Sequence, residues 1–116
     1  MNTKVVGGIA VIYSELPLIT NAQSALDLMA TVYYEHKVTS LVISKEAISE
    51  DFFVLSTGVA GDVVQKFVNY HFRVAIVGDF SKYTSKSLHD YMFECNTGKH
   101  LYFVASEQEA LEKLRS

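Results

Sequence analysis

Arg73-Val74-Ala75-Ile76-Val77-Gly78-Asp79-Phe80 is the stretch that decides the fold. Its apolar or small residues run without a polar break and stop at Gly78-Asp79. A run of that length reads as a strand buried on both faces, as in the interior of a parallel sheet. Helical patterns flank it in sequence, so it is expected as a central strand with crossover helices. Gly78-Asp79 then marks its carboxyl end, the edge where open α/β sheets place ligands.

Working outward, residues 3–6 and 8–14 read as strand, broken at Gly7-Gly8. A diglycine between β-rich runs predicts a tight hairpin, because both positions accept positive φ. Pro17, the single proline, sits in a connecting segment. Thr20 with Gln23 has capping-box form, and Ala22, Ala25, Leu26, Met29, Val32 and Tyr33 make one helical stripe ending near His36-Lys37. Val38 to Ser44 follows as strand. Ser49-Glu50-Asp51 resembles an N-cap with acids in the first turn, opening a short helical turn through Phe52-Phe53.

Ser56-Thr57-Gly58 restarts a longer helix to about Tyr70, with stripe Ala60, Val63, Val64, Phe67 and Val68. Gly58 and Gly61 are expected to let that helix approach the sheet closely. Lys86 to Asn96 is a third helix carrying Leu88, Tyr91, Met92 and Cys95 inward, stopped by Asn96-Thr97-Gly98. His100 to Ala105 is a last strand, and Ser106 with Glu109 caps a last short helix. The order is β-β-α-β-α-β-α-β-α. It describes one α/β domain over residues 1–116, with a mixed, mostly parallel sheet of about five strands.

Composition agrees. The 116 residues are 49% hydrophobic and 20% charged, which suits a folded core and excludes a disordered tail. A net charge of −3, with Lys and Arg scattered singly, argues against a nucleic-acid module. Cys95 is the single cysteine, so neither an internal disulfide nor a cysteine metal site forms. His36, His71, His89 and His100 share no metal-ligand spacing. No cofactor is expected. No signal segment or membrane span is visible after Met1, which makes the cytoplasm the expected location.

This order resembles the STAS domain (SpoIIAA-like), the fold of bacterial anti-sigma-factor antagonists. Ser56-Thr57-Gly58 is similar to the Asp-Ser-x-Gly loop of those antagonists, where a serine is phosphorylated. Arg73 to Asp79 is similar to a strand of the lipid-associated branch of that fold, and Ser106 to Leu111 resembles the last helix of both. A fuller likeness covers almost the whole chain. Ala25 to Met29, Glu50 to Phe53, Gln65 to Tyr70 and Val77 to Tyr83 resemble an uncharacterised bacterial domain-of-unknown-function family, which implies no activity. The STAS likeness implies a regulatory module. Under it Ser56 or Thr57 is a phosphate acceptor; otherwise Ser56, Thr57 and Gly58 only cap the helix. Leu55 stands where the antagonists carry an acid.

The carboxyl edge gathers Lys45 and Glu46 after one strand and Asp79, Phe80, Ser81, Lys82 and Tyr83 after the next. Several helix N-termini open towards it, each with unpaired N–H groups. No Walker loop, nucleophile elbow or paired-acid motif appears, so no catalytic residue is assigned. A response-regulator receiver needs acids where Tyr13-Ser14 and Ser44-Lys45 stand. Two functions are expected from these residues. One is a non-catalytic module binding another protein or a second copy of itself, with Phe52-Phe53 and Phe80/Tyr83 as an aromatic edge. The other is a sensor for a small anionic or lipid ligand, with Lys82 and the helix N-termini at its charged end.

Overall fold

The computed structural model describes residues 2–115. Strands β1 (Asn2–Val6), β2 (Ile9–Tyr13), β3 (Ser40–Ser44), β4 (Arg73–Val77) and β5 (Leu101–Val104) form one sheet in that spatial order. β1 and β2 are antiparallel; every later pair is parallel. Gly7 and Gly8 make the hairpin turn with φ of 55° and 80°, so two residues without Cβ join Val6 to its partner Ile9. β4 is interior, paired on both sides, but the middle strand of the five is β3.

Helices α1 (Ala22–His36), α2 (Val59–Asn69) and α3 (Lys86–Asn96) cross between the parallel strands, and α4 (Glu107–Arg115) follows the last. Strand alternation divides the core in two. Ala10, Ile12, Leu41, Ile43, Val74, Ile76, Leu101 and Phe103 point to one face, where α1, α2 and α3 pack. Ile9, Val11, Val42, Ala75, Tyr102 and Val104 point to the other, which Ala110 and Leu114 of α4 cover. A sheet wound in one direction by right-handed crossovers puts its crossover helices on a single face. The fourth helix is needed because the second face is equally apolar.

Several local expectations are corrected. The cap of α1 is Asn21 with Ser24, not Thr20 with Gln23. Ser24 donates its N–H to Asn21 Oδ1 at 2.8 Å, and its hydroxyl accepts the Asn21 N–H at 3.0 Å. Gln23 lies one position on and bonds Asp27 at 2.9 Å. The buried stripe of α1 is Ala25, Leu28, Met29 and Val32; Tyr33 flanks it and is exposed. Gly58 and Gly61 do not approach the sheet, since a Cβ on either would meet nothing within 4 Å. Gly58 instead supplies the left-handed turn, φ 79°, between a 3-10 turn at Leu55–Thr57 and α2.

Asn96 does more than end its helix. Its side-chain Oδ1 accepts the Phe103 N–H at 2.7 Å and its amide donates to Phe103 O at 3.3 Å. This occupies backbone groups of the edge strand β5 that would otherwise template another strand.

Candidate functional site at the carboxyl edge

The parallel strands β2, β3 and β4 end together, and the loops that follow are tied to one another. Ser44, buried at the end of β3, donates to Ser14 O and accepts the Ser14 N–H at 3.1 Å. Leu18 and Ser49 add backbone bonds to Ala47 O and Ile19 O. Lys45, directly after β3, therefore enters a fixed frame. Its residue is 8% exposed, and its stem lies against Gly78 at the end of β4. The space beside Lys45 exists because position 78 has no side chain.

The Lys45 ammonium is 5.6 Å from the centroid of Phe53 and 5.3 Å from that of Tyr83, and 3.4 Å from Glu50 Oε1. Phe53 and Tyr83 stack at 4.8 Å, so the cation faces two aromatic rings and one carboxylate. Glu50 collects three donors: Lys45, Lys82 at 3.0 Å and the Tyr83 hydroxyl at 2.8 Å. Burial pulls the Glu50 carboxyl up, but the bonds from Tyr83 and Lys82 and the charges of Lys45 and Lys82 outweigh it and hold the group below its usual value. Burial, then the bond to Glu50 and its charge, push the Tyr83 phenol to about 12.

Asp79 is exposed, accepts the Ser81 N–H at 2.9 Å, and is lowered first by that bond. Phe52 and Phe53 are buried, and Phe80 packs edge-on to Phe103 at 5.5 Å. Of the expected aromatic edge, Phe52 and Phe53 are turned into the core, whereas Phe80 and Tyr83 stay half-buried at its rim. Beside it a cleft of about 470 Å³ is lined by Gly78, Asp79, Phe80, Phe103, Val104, Ala105 and Glu109. Two of these are carboxylates and none is a cation. Lys82 points instead to Glu50, so an anion here would meet negative charge and have to displace an existing ion pair.

Ser56, Thr57 and Gly58 lie on the loop before α2 and take different parts. The Thr57 hydroxyl lies 2.8 Å from both Asp51 O and Val54 O and accepts the Val59 N–H at 3.2 Å. It ties the loop to the first turn of α2. Ser56 is exposed, and its hydroxyl has no hydrogen bond among the described residues. The sequence places Lys45 at this edge and Phe53 among its aromatics, but it carries no signal for the ion pairs of Glu50, which reads locally as a helix-start residue.

Among the described residues no cluster of His, Cys, Asp and Glu could hold a metal, and no helix is long and apolar enough to cross a membrane. No curated protein and no solved structure matches the chain. Residues 6–114 match the family model described as Domain of unknown function (DUF4180), and the chain belongs to that family.

Proposed function

We propose that the protein is a regulatory interaction module of STAS-like fold, without chemistry of its own. It binds another protein or a second copy of itself through the surface from Val54 to Gly58 and the adjoining turn of α2. One observation carries this reading: an exposed, unbonded Ser56 hydroxyl is presented on a loop that Thr57 and the buried Phe52-Phe53 hold in place. Val54 adds exposed apolar surface, and the open space at Gly58 and Gly61 keeps the patch low. The chain order of strands and helices supports the STAS likeness.

Phosphate on Ser56 would bring about −1.5 to −2 charge to this patch at pH 7. The Ser56 hydroxyl makes no hydrogen bond among the described residues, so that charge would act outward on whatever docks there. The ring of Glu50, Lys45, Lys82 and Tyr83 serves as the bolt that fixes the loop's foundation, since Glu50 and Phe53 belong to the 3-10 turn just before it. Sedimentation over a concentration range, with affinity capture from a bacterial lysate, tests the proposal. Self-association or a retained partner that is sensitive to Ser56→Asp supports it; a strict monomer that retains nothing overturns it.

A further inference from the structure

We infer that His71, Lys99 and His100 form a binding site for a phosphate-class oxyanion at the amino edge of the sheet, opposite to the surface proposed above. A cleft of about 490 Å³ opens there, lined by His71, Arg73, Lys99, His100 and Tyr102. That volume falls within the usual span of small-molecule sites, about 300–1,000 Å³. The chain carries a net charge of −3, yet among the described residues no carboxylate side chain lines this cleft. A basic concavity on an acidic protein concentrates anions locally.

The wall is rigid. Arg73, at the start of β4, donates to Lys99 O at 3.0 Å, Leu114 O at 2.9 Å, Lys113 O at 3.1 Å and the Tyr102 hydroxyl at 3.0 Å. It acts as a positioning residue that joins β4, β5 and the end of α4. The Tyr102 hydroxyl donates a hydrogen bond to Gly98 O at 2.9 Å, and the Lys113 ammonium lies 5.7 Å from its ring.

The ligand-facing groups are the other three. His100 Nδ1 is 3.0 Å from Phe72 O, a carbonyl that can only accept, so Nδ1 carries a proton and Nε2 is the nitrogen left for a ligand. Lys99 is exposed and makes no ion pair among the described residues. His71 occupies a left-handed conformation, φ 58°, at the end of α2, where glycine would be the unstrained choice. His71 lines the lip of the cleft. The Lys99 ammonium is a charge-assisted donor, and each imidazole adds a further N–H towards the cleft in its protonated form, a set that suits a tetrahedral oxyanion. A phosphate ester in solution and an anionic lipid headgroup share that chemistry.

The test is a titration of the full chain with inorganic phosphate, followed by NMR of the imidazole C–H resonances. Saturable shifts are expected for His71 and His100, with His89, on α3, as the unmoved control. Lys99→Glu should weaken the titration about tenfold or more while leaving the fold intact, because only its backbone carbonyl is used by Arg73. His71→Gly should also weaken it while raising the melting temperature, which separates binding from stability. Co-sedimentation with vesicles of phosphatidylcholine, with and without an anionic phospholipid, distinguishes the sources. Retention by the anionic vesicles alone, lost in Lys99→Glu, identifies a headgroup; phosphate saturation without retention identifies a soluble ester. Phosphate shifts that are absent, linear, equal at His89, or unchanged by Lys99→Glu would overturn the inference and leave these cations as complements to the helix carboxyl ends.

Discussion

A Cβ placed on Gly78 would lie 2.6 Å from the Cβ of Lys45. The end of β4 and the end of β3 are therefore in direct contact through a position that only glycine fills. Gly78→Ala forces one of two paired strands to shift and should cost about 1–3 kcal/mol. Gly61→Ala should have the opposite sign, a gain of about 0.5–1 kcal/mol, because open space surrounds a helical glycine. Denaturant midpoints of the two variants read this directly, and a shared sign would contradict the geometry.

Glu50 and Tyr83 make stability depend on pH at both ends. Tyr83 is raised from its ordinary 10.0 to about 12, so its contribution is complete below pH 10 and is lost as pH rises towards 12. Tyr13, bonded to Glu107 at 2.7 Å and also raised to about 12 by burial and that bond, acts in the same window. Glu50 is lowered from 4.5, so its contribution is present above that value and is lost as pH falls through the folded one. Urea midpoints across pH should fall at both ends. Tyr83→Phe should flatten part of the alkaline limb, and Glu50→Gln part of the acid limb.

Thr57 and Ser56, adjacent hydroxyls, should respond differently. Thr57→Ala removes a side chain bonded to the loop and to the start of α2, and should cost about 0.5–2 kcal/mol. Ser56→Ala removes an exposed hydroxyl and should stay within about 0.5 kcal/mol of wild type. Equal losses would mean that Ser56 also supports the loop.

Lys37 and His71 are the non-glycine residues with positive φ among those described, both 58° and both at helix carboxyl ends. Replacing either with glycine removes a left-handed conformational cost of about 1–2 kcal/mol, less the entropy glycine loses on folding. A net gain of about 1 kcal/mol is expected for each, measured by thermal or chemical unfolding.

Features set by neighbours in sequence could be read from it. Gly7-Gly8 announced the hairpin, the Arg73–Val77 run announced a buried strand, and Ser49 capped the turn expected of it. Thr20 and Asn21 both carry capping side chains and both give their N–H to the Ser24 hydroxyl, so the local pattern does not tell them apart; Asn21 is the cap because its Oδ1 accepts the Ser24 N–H. The strand order, and with it the middle place of β3, depends on crossovers that no local pattern encodes. Glu50 meets Tyr83 across 33 positions and Lys82 across 32, so their ring was invisible until the chain folded. The cationic cleft is hidden for the same reason: residues 71–73 and 99–102 join only because β4 and β5 are parallel neighbours.

The central claim is that the Ser56 surface is where this module meets its partner. The most direct measurement is quantitative affinity capture with wild type, Ser56→Ala and Ser56→Asp side by side, each also sedimented alone to score self-association. The account predicts one interaction, with another protein or with itself, kept by wild type and Ser56→Ala and lost in Ser56→Asp at unchanged melting temperature. Identical binding by all three proteins, or a monomer that holds no partner in any form, would contradict it.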